Sequence, residues 1–421
     1  MRVRSAAWWT VLTALFLWLL PSRLPAAEPP RAPVVVTIVV DQLAAWIAAE
    51  RLPLLPPTGG FARLVREGLW VREMRYAHAV TDTGPGHAAL YTGAPPRASG
   101  IFGNEIPPLA PCHAPPASPA SPGAAKAETA GAFDDPDSIL LDPMAAPVPP
   151  DERPGPACGV SLRALRAETL ADRLRAAHPD AIIISLSLKD RGATLGGGRR
   201  PTAALWFDVR RGRFVTSTAF RRDLPPWIDG VNRWLEESFR TGLVWELEDA
   251  AWVEAHAGTP DDQPGEGGNF AADAKLGYAG IGRRFPHRLP NPRALRASPF
   301  GDEALFRAAV AALDSEVAGR RPTLLALSLS AHDLIGHLFG PDSWEAWDEL
   351  HRLDGMLGRF LVELDRRLGE HNYAVVLAAD HGSIHMPEAC GGAGASLGLG
   401  MDRWQRPCKS DGHRLLQDRP S

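Results

Sequence analysis

The sequence predicts an α/β fold: a mainly parallel β-sheet sandwiched by helices, with an inserted cap region. Three observations carry that reading. Four continuous apolar, β-branched runs have the pattern of strands buried on both faces. Helical patterns with apolar residues three and four apart alternate with them, which gives a parallel sheet flanked by helices. Each run also delivers a polar or charged residue just past its C-terminal end, the edge where open α/β sheets bind ligands. An apolar fraction of 45% with 22% charged residues is enough for a packed core in a chain of 421 residues.

Residues 1–27 come first. A basic M-R-V-R start, an apolar stretch of about fifteen residues and a small-residue end at P-A-A have the pattern of a secretory signal. The run is short for a membrane-spanning helix. The expectation is an exported protein whose catalytic domain covers residues 28–388. The signal holds three arginines and no acid, so its removal takes the formal charge from −4 to −7, with 42 basic against 49 acidic residues. A mildly acidic chain offers no nucleic-acid surface. No membrane contact is expected after cleavage either. Of the four cysteines (112, 158, 390 and 408), none forms a C-x-x-C pair, which argues against a cysteine zinc site. An oxidising compartment would allow Cys112 and Cys158 to close the loop between them, a pairing that spacing alone does not decide.

The first strand is A-P-V-V-V-T-I-V (33–40), followed directly by Asp41. Residues 105–157 are rich in Pro and Ala and read as a long surface excursion without a core of its own. A-I-I-I-S-L-S-L (181–188) is the second strand and ends at Lys189. Residues 206–297 hold a helix around Trp227, Val231, Trp234 and Leu235, then a Gly- and Asp-rich stretch; they are read as the inserted cap. A helix over 302–316 precedes the third strand, T-L-L-A-L-S-L-S (323–330), which ends before Asp333. Trp347, Leu350, Leu353, Leu357, Phe360 and Leu364 mark a long amphipathic helix over 343–366 with Ser343 as its cap. Y-A-V-V-L-A-A (373–379) is the fourth strand and runs into Asp380. Residues 389–421 show neither periodicity nor a strand.

Thr83, in T-D-T-G-P-G-H-A-A-L-Y-T-G (81–93), is read as a nucleophile set in a glycine-rich turn. A threonine hydroxyl needs a metal or a base to react at neutral pH. Carboxylates and imidazoles at strand ends suit zinc or a similar divalent ion. Asp333 and His337, four apart, share one face of a helical turn. Asp380 and His381 reach the same cavity if the chain turns sharply, which Gly382 permits.

Taken together these motifs identify a resemblance. V-V-D-Q (39–42), T-G-P-G-H-A-A-L-Y-T-G (83–93), G-I-F-G-N (100–104), L-K-D-R-G-A (188–193), W-F-D (206–208), H-D-L-I-G-H-L-F-G-P-D-S (332–343) and A-D-H-G (379–382) resemble the alkaline phosphatase superfamily. The similar branch has a threonine nucleophile and holds the nucleotide pyrophosphatases/phosphodiesterases and the PafA-type alkaline phosphatases. The resemblance implies two zinc ions. Asp41, Asp380, His381 and the Thr83 oxygen would hold one, and Asp333 and His337 the other. Asn104, Lys189 and Arg191 match positions that grip the phosphoryl oxygens of monoesters. A monoester dianion can use a lysine and an arginine, whereas a diester has one charge and a second ester group that would collide with them. The implied function is an exported hydrolase of small phosphate monoesters through a phosphothreonine intermediate. The alternatives are a phosphodiesterase or nucleotide pyrophosphatase, and a catalytically impaired relative. Family members carry a last metal-binding histidine after the D-H-G motif. His385 is too near His381 to be its equivalent, and His413 has no strand before it. A frameshift or truncation near residue 389 is the corresponding expectation, with the second metal site incomplete.

Overall fold

The computed structural model describes residues 32–386, apart from residues 73, 106–137, 151–157, 264, 265, 267–277, 279 and 318–320. The signal segment, Cys112, His413 and the tail 389–421 lie outside the described residues. Cys158 is disulfide-bonded, but its pairing with Cys112 lies outside them too. No helix of the described residues is long and apolar enough to cross a membrane.

The main sheet has seven strands: β1 (Val34–Val40), β2 (Pro147–Val148), β3 (Ile182–Ser187), β4 (Ala203–Asp208), β5 (Arg213–Ser217), β6 (Thr323–Leu329) and β7 (Tyr373–Ala378). Their spatial order is β7-β1-β6-β3-β4-β5-β2. The first five in that order run parallel, and β5 and β2 are antiparallel additions. The four strands read from the sequence are β1, β3, β6 and β7. The registers Val39↔Ala378, Val40↔Leu329 and Ser328↔Ser187 bring their C-terminal ends level. That alignment gathers Asp41, Lys189, Asp333 and Asp380 from positions up to hundreds of residues apart.

The sheet divides the core into two layers. Val34, Val36, Ile38 and Val40 join Leu325, Leu327 and Leu329 beneath helices Pro299–Glu316 and Trp344–Leu368. Val39 and Ala326 face the other way, toward Ala88, Tyr91 and Leu195 of helices Thr83–Thr92 and Asp190–Gly197. The second layer is thin because its facing residues are small. A Cβ on Gly192 would stand 2.4 Å from Ser187 Oγ and 2.5 Å from Ser328 Oγ, so only glycine allows this helix so close to the sheet. The long helix begins where the sequence places it: Ser343 Oγ accepts from Ala346 N at 3.1 Å. Ser343→Ala is expected to cost about 1 kcal/mol, measured by denaturant unfolding.

Two segments differ from their sequence reading. The end of the Pro/Ala-rich excursion is part of the domain: Ile139 and Leu140 are buried with Val160 and Trp206, and Pro147–Val148 pairs with β5. Residues 206–217 complete β4 and form β5, so any insertion begins after them. Its described part shares the main core through Ile228, Val231, Leu235, Trp245 and Leu289. The ribbon Leu243–Trp245 with His287–Leu289 is tied to the long helix by Trp245 Nε1 donating to Asp348 Oδ2 at 2.7 Å.

A second tie gives a pH dependence. His287 Nε2 and Glu345 Oε1 are 2.8 Å apart, both fully buried. His287 Nδ1 donates to the Ile281 carbonyl, so in the neutral ring Nε2 accepts and Glu345 must be the protonated donor. Burial pushes Glu345 up to about 8. Because the folded pKa lies above the unfolded value of 4.5, this contribution is fully present below about pH 4.5 and is lost as pH rises through about 8. Thermal stability measured across that window is expected to fall, and Glu345→Gln to flatten the fall.

Candidate active site

Thr83 is the first residue of a ten-residue helix rather than part of a turn. Asp82 precedes it in extended conformation, and Pro85 fits the first turn, where no backbone N–H is required. The helix N-terminus concentrates backbone N–H groups and positive potential on the hydroxyl, a setting that favours a phosphate. Gly86 allows the helix to close on the β7 end, since a Cβ there would lie 2.3 Å from the Asp380 carbonyl oxygen. Asn104 adjoins Thr83 by accepting from Gly84 N at 2.7 Å through Oδ1.

Lys189 is the hub. Its ammonium donates to Asp41 Oδ2 at 2.7 Å, to Asp333 Oδ2 at 2.6 Å and to Thr83 Oγ1 at 3.1 Å. All four side chains are buried. Burial opposes the lysine charge, but Asp333 and Asp41 outweigh it and raise its pKa. Burial likewise opposes ionisation of Asp41, yet Lys189 and His381 hold it well below the usual carboxylate range. Asp380 goes the other way, raised by burial and by the charge of Asp41.

His381 Nε2 lies 3.1 Å from Asp41 Oδ1, 3.8 Å from Asp333 Oδ1 and 3.9 Å from Asp380 Oδ2. Burial works against its protonation, but these carboxylates prevail and push it up to about 9. The turn that brings it in does not use a left-handed Gly382, which has no positive φ. Gly382 instead avoids Ala44, whose Cβ would be 3.2 Å from an added one. Asp333 and His337 do share a helical face in Ala331–Phe339, with His337 Nε2 3.2 Å from Asp333 Oδ1. The His337 ring is exposed. Arg191 Nη1 lies 3.7 Å from Asp190 and lines a small cavity with Lys189, Trp206, Asp208 and Arg296. His385 is held elsewhere, with Nδ1 3.0 Å from Asp342 and its ring centroid 3.9 Å from that of Trp46.

Two functional residues escape the sequence reading. Gln42 is one of two described non-glycine residues with positive φ, at 67°, a conformation that costs on the order of 1–3 kcal/mol. From it the backbone N–H reaches Asp380 Oδ1 at 3.1 Å while the side-chain amide donates to Asp333 Oδ1 at 2.8 Å. His87, four residues after Thr83 and fully buried, has Nδ1 3.0 Å from the Thr83 carbonyl and 2.9 Å from Asp380 Oδ2, with Nε2 2.8 Å from Ser328 Oγ. Its i+4 position was the available signal.

The residues fit a divalent cation. Asp41, Asp333 and His381 each offer a ligand atom within 4.8 Å of the others, the one such group among the described residues. Asp41 Oδ1 and Asp380 Oδ2 are buried and each faces a histidine nitrogen, His381 Nε2 at 3.1 Å and His87 Nδ1 at 2.9 Å. Such carboxylate oxygens are costly unless paired or metal-bound. The grouping joins Asp333 to Asp41 and His381, ligands that the family resemblance divides between two ions.

The model of the family described as type I phosphodiesterase / nucleotide pyrophosphatase matches residues 35–109 and 206–393. Alkaline phosphatase PhoV of Synechococcus elongatus is 29% identical over 85% of this chain and 60% of its own length. Alkaline phosphatase PafA of Elizabethkingia meningoseptica is 28% identical over 85% of this chain and 61% of its own. The crystal structure of wild-type PafA superposes with a TM-score of 0.69 at 27% identity, covering 86% of this chain and 65% of that one. The chain thus spans about three fifths of the length of these curated relatives.

Proposed function

From the chain's membership of the type I phosphodiesterase / nucleotide pyrophosphatase family, within the alkaline phosphatase superfamily, we propose that it is a metal-dependent hydrolase of small phosphate monoesters with Thr83 as covalent nucleophile. The observation that carries this is the Thr83 hydroxyl at a helix N-terminus, 3.1 Å from Lys189 Nζ and beside the Asp41–Asp333–His381 group.

Asp41, Asp333, Asp380, His381 and His337 would hold the metal, for which we propose two zinc ions. When bound, zinc supplies the positive charge that acidifies a hydroxyl and offsets charge on the leaving oxygen. The chain's own groups do the rest. Asn104, Lys189 and Arg191 orient the phosphoryl oxygens. Thr83 Oγ forms a bond to phosphorus as the ester P–O bond breaks, and the alcohol departs with the electron pair and a proton. Water then attacks the phosphothreonine, freeing inorganic phosphate and returning the proton to Thr83. His87 and Gln42 keep Asp380 and Asp333 aimed inward throughout.

The family description and its diester chemistry support a second reading, a phosphodiesterase on the same groups. Assays of an aryl phosphate and a bis-aryl phosphate separate them: the monoester reading requires the aryl phosphate to be hydrolysed faster, and the opposite order sinks it. Metal analysis of the purified chain adds the count. Two zinc ions per chain support the full site, and one or none points to an impaired one. We also propose export, supported by the 1–27 sequence pattern and by the disulfide at Cys158.

A further inference from the structure

We propose that His332, Glu349 and Asp302 are positioning residues that set the direction of Asp333; the proposal rests on the metal-dependent reading above. Helix Ala331–Phe339 has no cap from its own N-cap residue, Ser330. The Asp302 carboxylate, 29 positions earlier in helix Pro299–Glu316, accepts from Ala331 N at 3.3 Å instead. His332 Nδ1, in the first turn, lies 2.7 Å from Glu349 Oε2 on the long helix. Asp302 and Glu349 are fully buried, and His332 is 3% exposed.

Successive residues of an α-helix point roughly 100° apart around its axis. Fixing His332 on Glu349 therefore fixes the rotation of the next residue, Asp333, whose oxygens face Lys189 and His337. Asp302 fixes the same helix at its N-terminal end. Two buried acids from two different helices are an expensive way to hold one turn unless its orientation matters. Their hydrogen bonds run to helix Ala331–Phe339, at the Ala331 backbone and the His332 ring, so their effect on the site passes through Asp333. Outer partners that orient metal ligands are worth about 10–100-fold in metal affinity.

The test is zinc affinity of the full chain, measured by competition with a chromophoric chelator, alongside circular dichroism. Glu349→Leu is expected to weaken zinc binding at least tenfold, and Glu349→Gln, whose amide oxygen still accepts from His332 Nδ1, to restore it. Folded Glu349→Leu protein with wild-type affinity overturns the proposal while leaving the functional reading intact. Wild-type protein that takes up no zinc overturns both. If Glu349→Leu does not fold, Glu349→Gln and Asp302→Asn decide: both keep the acceptors, so wild-type affinity supports the proposal and a tenfold loss in either contradicts it.

Discussion

Thr83→Ala is expected to abolish phosphate-ester hydrolysis, by at least ~10⁴-fold in kcat, with the fold retained. On the proposed mechanism the hydroxyl takes the phosphoryl group, and its neighbours are committed elsewhere: Lys189 is held charged by two carboxylates, and His381 is assigned to the metal. The fold is indifferent to the change. The Thr83 hydroxyl takes one hydrogen bond, from Lys189, and that ammonium keeps both carboxylates without it. Steady-state assay with an aryl phosphate and circular dichroism check the two halves. Wild-type turnover in the variant would remove Thr83 from the mechanism.

Lys189→Ala is expected to produce the second-largest change, with two separable readouts. Loss of the ammonium leaves Asp41 and Asp333 buried and facing one another, and breaking such a pair costs about 3–5 kcal/mol. Zinc held by these carboxylates, as proposed, would supply the missing positive charge. The stability loss should therefore be large in chelator and mostly recovered when zinc is restored. Monoester hydrolysis by the zinc-loaded variant should fall roughly 10²–10³-fold, the cost of one preorganised donor, with diester hydrolysis affected much less. Equal loss on both substrates would assign Lys189 to holding the ligands alone, with no part in choosing the ester.

The sequence exposes this site well where the physics is local. β1, β3, β6 and β7 are continuous apolar runs because both faces are covered, and the residue after each run is visible without a structure. Fold class, Asp41, Lys189, Asp333 and Asp380 follow from that pattern, and the Ser343 cap from the helical spacing after it. What it cannot carry is strand order. Lys189 bridges Asp41 and Asp333 because β6 lies between β1 and β3, an arrangement set by packing over hundreds of residues. Gln42 is hidden for another reason: its role depends on a left-handed backbone that no local residue preference requires. His87 is visible only once Thr83 is seen to start a helix, and two glycines and a proline in that first turn disguise it. The boundary at 206 falls inside a strand, because W-F-D completes Ala203–Asp208 and the next strand follows directly.

The most direct measurement is on the covalent step. Protein mixed with an aryl phosphate monoester, quenched in acid and digested, should yield a peptide containing Thr83 that carries one phosphoryl group on that residue, absent from Thr83→Ala. Turnover without any phosphorylated Thr83 peptide, or with the phosphoryl group on another residue, would contradict the assignment of Thr83 as nucleophile.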